Sequence, residues 1–305
     1  MPIASSKMKA VSTAENLARE QSENPAREQR LRDLRELLQQ LERVVVAFSG
    51  GVDSALLAWL AKDTLGSKAM AVTAVSPSLA SAERQHCQEL ARQWGLRWLE
   101  VFTQEQKDER YLRNDTQRCA YCREFLMEAV KPIAQAEQAE ILLGITLDDL
   151  GDHRPGIEAS RQRGALFPFV EAGIAKAEVR SISRELGLPT WSKPASPCLA
   201  SRVPYGTPVS VEVLSKVERA EAVLSQLGFC ERRVRHYGDI ARIEIPADQL
   251  SALLAVREQI IQAFKAVGYR YATVDLEGLR SGNLNPQPPT QPPERPSDPS
   301  EMPHE

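Results

Sequence analysis

Val44-Val45-Val46-Ala47-Phe48-Ser49-Gly50-Gly51-Val52-Asp53-Ser54 is a short β-branched run that drives straight into a glycine turn. The run reads as a buried strand, Ser-Gly-Gly as a tight turn, and Val52 onward as the start of a helix. Adjacent glycines allow positive φ and close approach, so several backbone N–H groups can converge on one anion at the helix's positive end. Such a nest suits a pyrophosphate group. Ser49 and Ser54 add hydroxyl donors. Asp53 falls in the first helical turn, where a carboxylate is electrostatically welcome and can help hold a phosphate-bound Mg²⁺. The plainer alternative, on Gly-Gly alone, is a strand-to-helix turn with an Asp cap.

Outward from this stretch the pattern alternates strand and helix. Leu31, Leu34, Leu38 and Leu41 repeat at helical spacing ahead of the first strand, and a helix over 53–62 follows the loop. Lys68 to Val75 reads as a strand, Ser81 to Trp94 as a helix, Leu96 to Phe102 as a strand, and Ile141 to Leu143 as a further buried strand. This is the α/β pattern of a parallel sheet. Ligands of such sheets collect at the carboxyl ends of the strands, which places Asp148, Asp149 and Asp152 toward the glycine loop, unless they cap the next turn. Val179, Ile182 and Leu186 mark another helix, stopped by Gly187 and Pro189. Lys176 and Arg180 lie four apart on it, suited either to neutralising phosphates or to a solvated basic face.

A proline-rich connection from Trp191 to Gly206 changes the pattern to helix, hairpin, helix, strand. The reading is a mobile arm over 1–26, an α/β domain over 27–202, a smaller α+β domain over 203–284, and a disordered Pro-rich tail over 285–305. In the smaller domain Leu214, Val217, Leu224 and Leu227 line one helix, and Leu250, Leu254, Ile261 and Phe264 the other; Gly238-Asp239 divides two hairpin strands. Arg233 and Arg235 share one face of the first hairpin strand and Glu244 sits on the second, a charged patch or simply a solvated sheet face.

The chain has 305 residues, enough for a sizeable core and two domains. Its 38 Lys plus Arg against 41 Asp plus Glu give a net charge of −3, with no general pull toward nucleic acid or anionic membrane. No secretory leader pattern or bilayer-length apolar stretch is evident, so a cytoplasmic protein without membrane partners is expected. Five cysteines in a reducing compartment argue for metal, redox or core roles over disulfides. Cys87, on a stripe with Leu90, Ala91 and Trp94, reads as a buried hydrophobe, and Cys230 as structural.

Arg118-Cys119-Ala120-Tyr121-Cys122-Arg123 is the second chemical signal, ahead of a helix carrying Leu126, Val130 and Ile133 that Pro132 can kink or shorten. Two cysteines at this spacing can bite one metal, and the flanking arginines favour thiolates. Cys198, in Ser-Pro-Cys-Leu-Ala-Ser-Arg202, makes a set of three. Zinc, an iron–sulfur cluster and a redox dithiol all stay open on spacing alone, with His153 or His86 as a fourth zinc ligand.

Five segments together resemble the LarE family of ATP-dependent sulfur transferases in the PP-loop superfamily. They are Ser49–Ser54, Arg118–Cys122, Asp148–Gly156, Pro194–Arg202 and Arg233–Glu244. The family's Gly-Thr-Asn turn stands here as Gly144-Ile145-Thr146. The resemblance implies that ATP adenylates a carboxylate of a pyridinium dicarboxylate mononucleotide, with AMP then replaced by sulfur to give a thiocarboxylate. It implies ATP and pyrophosphate contacts at Ser49, Gly50, Gly51, Asp53, Ser54 and Lys176, Mg²⁺ at Asp53, and substrate contacts at Arg202, Arg233 and Arg235. In relatives with one cysteine, the residue matching Cys198 surrenders its own sulfur and is left as dehydroalanine. In those with three, matching Cys119, Cys122 and Cys198, a [4Fe–4S] cluster carries the sulfur; three cysteines here favour that form over zinc. A homo-oligomer, as large as a hexamer, is also implied, with a sulfur donor the sequence does not identify. Competing readings are a PP-loop tRNA thiolase, which would need a basic surface, an amide-forming synthetase, which would leave the cysteines idle, and a non-catalytic zinc protein.

Overall fold

The computed structural model describes residues 25–151 and 155–280. A helix over 25–41 (α1) leads into β1 (Val44–Ala47), followed by α2 (Val52–Leu65), β2 (Ala69–Val75), α3 (Ser81–Trp94) and β3 (Arg97–Phe102). Then come α4 (Glu109–Leu112), α5 (Arg118–Glu137), β4 (Glu140–Leu142), α6 (Leu147–Leu150), α7 (Pro155–Gln162), β5 (Ala165–Leu166), α8 (Pro168–Glu171) and α9 (Lys176–Glu185). The five strands form one parallel sheet in the order β3-β2-β1-β4-β5.

The valine run explains why β1 sits at the centre. Val44 and Val46 pack into a cluster with α1, α2 and α9, while Val45 packs on the opposite face with Met127 and Val130 of α5. Side chains alternate across a strand, so only a strand covered on both faces accepts an unbroken apolar run. Burying each valine stabilises the sheet by about 1.5–3 kcal/mol.

The carboxyl-terminal part contains α10 (Val211–Gln226), β6 (Arg233–Tyr237), β7 (Ile240–Glu244), α11 (Leu250–Ala255), α12 (Arg257–Val267) and β8 (Tyr271–Val274). β6 and β7 form the expected antiparallel hairpin, and β8 pairs parallel to β7, giving a small mixed sheet. The second helix departs from expectation. It breaks at Val256, so Leu253, Ile260 and Phe264 face the core while Leu254 and Ile261 are exposed. One continuous helical period does not survive the break.

Two further differences concern α5. The cysteine pair lies within its first five residues, not ahead of it, and the helix runs through Pro132 to Glu137. Packing of Leu126, Met127, Val130 and Ala134 against the sheet outweighs the one backbone bond that proline removes. A third apolar cluster joins Tyr111 to Leu199, Val203, Val209, Leu214 and Val217, between the large sheet and α10. No helix of the described residues is long and apolar enough to cross a membrane. Most of the stretch read as an amino-terminal arm, and all of the Pro-rich tail, lie outside the described residues.

Candidate active site

In the order β3-β2-β1-β4-β5 the chain moves from β1 to β2 and β3, then returns to β4 on the other side of β1. The carboxyl edge between β1 and β4 is thus the sheet's switch point, where its connections part to open a crevice. The Ser49–Ser54 loop occupies that edge. Gly50 has φ +68°, and a Cβ there would stand 2.9 Å from Cys87 Sγ. Ser54 Oγ accepts from the Ser49 N–H at 3.2 Å, lies 3.0 Å from Ser49 Oγ and donates to Gly51 O at 3.2 Å. Gly51 caps α2 without a side-chain bond, which leaves the helix's first amides open.

Opposite the loop, Gly144 comes so close that a Cβ would stand 2.9 Å from both Asp53 C and Ser54 N. Asp149 folds back to accept from Thr146 N and Oγ1 at 3.0 and 2.9 Å, the capping alternative foreseen for it. Asp148 accepts from the Lys176 N–H at 2.6 Å and so fixes the start of α9. Lys176 Nζ then reaches Asp53 Oδ2 at 3.4 Å. Asp53 Oδ1 is buried and has no hydrogen-bond partner among the described residues. Burial raises the Asp53 pKa, with Lys176 pulling against it and Asp149 adding to it. Arg180 donates to Trp191 O and Lys193 O at 2.8 and 3.0 Å, and its charge also favours the Asp53 carboxylate. Asp152 and His153 lie outside the described residues.

Cys119 and Cys122, at i and i+3, share the front face of α5. Arg118 behind them is buried and donates to Asn114 Oδ1 and, at 2.8 Å, to Ala200 O, stitching α5 to the Cys198 segment. Burial would lower the Arg118 pKa, yet Cys198 and Cys119 beside it leave it raised. Burial, with Cys198 and Glu105 close by, pushes the Cys122 thiol up to about 12. The expectation that flanking arginines favour a thiolate therefore fails at Cys122: Arg123 pulls the right way but is outweighed. Cys119 and Cys198 are exposed. Cys87 is fully buried with its thiol raised to about 11 by that burial, as a core residue should be. Cys230 is exposed and contributes nothing to the core.

The arginines form a buried network, not a solvated sheet face. Arg235 donates Nε and Nη2 to Glu244 Oε2 at 3.0 and 2.8 Å, and Nη1 to Ser201 O at 2.8 Å. Arg242 takes the other Glu244 oxygen at 2.9 Å. Arg202 is bidentate to Glu221 at 2.8 and 3.2 Å and also donates to Cys198 O at 3.3 Å. Arg233 differs. It donates to Arg280 O at 2.8 Å but has no ion pair among the described residues, although it is only 7% exposed. Burial, then Arg235 and Arg202, lower its pKa. A guanidinium so placed is the one most in need of an anion.

The two implied metal groups fare differently. An orphaned buried carboxylate oxygen on Asp53, beside Lys176 and an open helix N-terminus, fits a Mg²⁺–nucleotide. The three cysteines are neighbours, but no group of three or more His, Cys, Asp or Glu among the described residues is placed to hold a metal ion. As they stand they do not fit a cluster. Sequence reading missed Lys193, which bonds Gly50 O, and Glu105, buried beside Cys122; each acts across a long sequence gap, and no local motif marks either.

A family model described as a PP-loop domain matches residues 14–152. The chain is 43% identical to an uncharacterized protein of Synechocystis sp. over 85% of its own length and 97% of that relative's. It is 36% identical to the pyridinium-3,5-bisthiocarboxylic acid mononucleotide synthase of Lactiplantibacillus plantarum, over 81% of this chain and 91% of the synthase. An uncharacterized protein of Methanocaldococcus jannaschii is 28% identical over 79% of this chain and 92% of its own.

Proposed function

Because the chain belongs to the PP-loop family that includes the pyridinium-3,5-bisthiocarboxylic acid mononucleotide synthase, we propose that it is an ATP-dependent sulfur transferase acting on a pyridinium dicarboxylate mononucleotide. The observation that carries the nucleotide half is Asp53: a buried carboxylate with one oxygen on Lys176 and one without a partner among the described residues, in the first turn of α2.

In this reading the amides at the start of α2 and the hydroxyls of Ser49 and Ser54 hold the pyrophosphate. Asp53 would hold Mg²⁺, which would neutralise phosphate charge there. Lys176 stabilises charge developing at the α-phosphorus. A substrate carboxylate oxygen attacks that phosphorus and the bond to pyrophosphate breaks, giving the acyl adenylate. Sulfur then attacks the acyl carbon, the bond to the AMP oxygen breaks, and a thiocarboxylate remains. Arg233, with Arg202 and Arg235 beside it, is the proposed seat of the substrate's phosphate.

Sulfur delivery is assigned to the neighbourhood of Cys119, Cys122 and Cys198. All three cysteines are present, as in the [4Fe–4S] form of the family, but their placement does not fit a cluster, so release of Cys198's own sulfur stands beside it as the second source. The test is incubation with Mg-ATP and the mononucleotide under anaerobic conditions. AMP, pyrophosphate and a thiocarboxylate product are expected; ADP and phosphate, or sulfur transfer to tRNA in place of the mononucleotide, would overturn the reading.

A further inference from the structure

The Gly50–Gly51 peptide is the least constrained unit of the nucleotide loop, because neither residue has a side chain to oppose rotation of the plane between them. The bond is trans and planar, so its carbonyl and its N–H point in opposite directions. Gly50 O receives Lys193 Nζ at 3.1 Å, and the same ammonium is held by Glu83 Oε2 at 2.6 Å. On the other side of the plane, the Gly51 N–H has no partner among the described residues and opens the N-terminus of α2. His86 and Cys87 of α3 wall the loop from beneath, at 3.2 and 2.9 Å from where a Gly50 Cβ would lie.

Lys193 also begins the segment that carries Cys198. Its carbonyl is held by Arg180 at 3.0 Å, and the segment is pinned again past Cys198, where the Leu199 N–H donates to Ser78 O at 2.9 Å. Five Cα steps from Lys193 to Cys198 span at most about 18 Å, and Pro194 and Pro197 stiffen them. The strap is short, and both of its ends are fixed.

We propose that Lys193 is a positioning residue that latches the Gly50–Gly51 peptide with its N–H toward the nucleotide phosphates and, through the same strap, ties Cys198 to the nucleotide loop. This rests on the reading that ATP occupies the glycine loop. Without the ammonium the peptide is free to turn, presenting a carbonyl oxygen to the phosphates in place of an amide, and the strap loses its direct tie to the nucleotide loop, keeping at this end only its backbone bonds to Arg180 and Thr190.

The test uses the full-length chain with Lys193→Met and Lys193→Arg. Three quantities are followed: the KM and kcat of Mg-ATP-dependent pyrophosphate release, the Tm, and the rate at which iodoacetamide alkylates Cys198, read by peptide mass spectrometry. Lys193→Met should raise the ATP KM by about tenfold, roughly the loss of one charge-assisted hydrogen bond. It should also speed Cys198 alkylation several-fold at unchanged Tm, and Lys193→Arg should restore most of both. Wild-type KM and alkylation in the Met variant would overturn the proposal. So would a shared loss of ATP affinity and Tm that Arg does not repair, which would mark Lys193 as plain structural support. Failure of the underlying reading is distinguishable, because it shows in the unsubstituted chain as no pyrophosphate release at all.

Discussion

Asp53 carries opposing demands in a single side chain. Its carboxylate is desolvated, which disfavours the charge, yet one oxygen pairs with Lys176 and the other has no partner among the described residues. Asp53→Asn keeps the shape and removes the charge. Mg²⁺-dependent pyrophosphate release should fall by about 100-fold, the scale of losing one electrostatic group at a phosphoryl centre, while Tm holds. An unchanged rate at limiting Mg²⁺ would reduce Asp53 to a helix-start residue. The cysteines divide just as sharply. Cys198→Ala should abolish thiocarboxylate formation while leaving pyrophosphate release, since the nucleotide corner does not use it. Cys119→Ala and Cys122→Ala then separate the two sulfur sources. If both variants lose sulfur transfer along with any iron–sulfur colour, a cluster carries the sulfur. If both keep it, and wild-type Cys198 becomes lighter by the elements of hydrogen sulfide after one turnover, Cys198 is the source. Cys230→Ala should spare both half-reactions. Ser49 to Ser54 was legible as a strand-to-helix glycine turn because its signals are local: glycines, hydroxyls and a helix start in one hexapeptide. The thiol state of Cys122 was not. It depends on burial and on Glu105 and Cys198, which no spacing rule brings to it.

Gly144 shows how elements, rather than residues, shape the crevice. The turn after β4 passes so close to the first turn of α2 that a methyl group on Gly144 would meet backbone atoms of Asp53 and Ser54 at 2.9 Å, and backbone cannot swing aside as a long side chain can. Gly144→Ala should therefore displace the loop itself. The expected result is an ATP KM raised by at least about tenfold, with a stability loss of about 1–3 kcal/mol typical of overpacking. Wild-type ATP kinetics would show that the two elements yield more easily than their contact implies. In the smaller sheet, His236 on β6 is buried, bonds Tyr269 at 3.1 Å, and has its pKa lowered by burial and then by Lys216. Protons therefore bind the unfolded chain before the folded one as pH drops. Stability from this site is complete above the unfolded value of about 6.5 and is lost as pH falls below it. His236→Gln can retain a bond to Tyr269 without titrating, so its Tm should drop less between pH 7 and pH 5 than the wild type's. Equal drops would exclude His236 as a source of acid sensitivity. Strand and helix types in both sheets followed from hydrophobic period. The break at Val256 did not, and it turned Leu254 and Ile261 outward, because period alone does not register where one helix ends and another begins.

Across the whole molecule, one buried residue does most to join the nucleotide sheet to the segment bearing Cys198 and Arg202. Asn114 is fully buried at φ +56°, and its Nδ2 donates to Val203 O, Pro204 O and Thr207 O at 3.3, 2.8 and 2.8 Å. Its Oδ1 accepts from Arg118, which in turn holds Ala200 O. Tyr111, Leu199, Val203, Val209, Leu214 and Val217 pack beside this hub, so polar and apolar links act at one place. No motif announces it, since its partners lie some 90 positions away in sequence. Asn114→Ala leaves buried carbonyls and the Arg118 guanidinium short of partners, at a cost of about 2–4 kcal/mol. It also places Ala in the left-handed region, which adds about 1–2 kcal/mol. Asn114→Gly separates the terms, because glycine accepts that φ but supplies no amide. Both variants should melt earlier, Gly less so than Ala. In both, thiocarboxylate formation should fall further than pyrophosphate release, because the β1–α2 loop keeps its own contacts while the chain just after the cysteine segment loses its bonds from Asn114 and Arg118 loses the amide oxygen that orients it toward Ala200 O. If the two half-reactions decline in equal proportion, Asn114 supports the fold as a whole, and the division between a nucleotide corner and a separately tethered sulfur site is wrong.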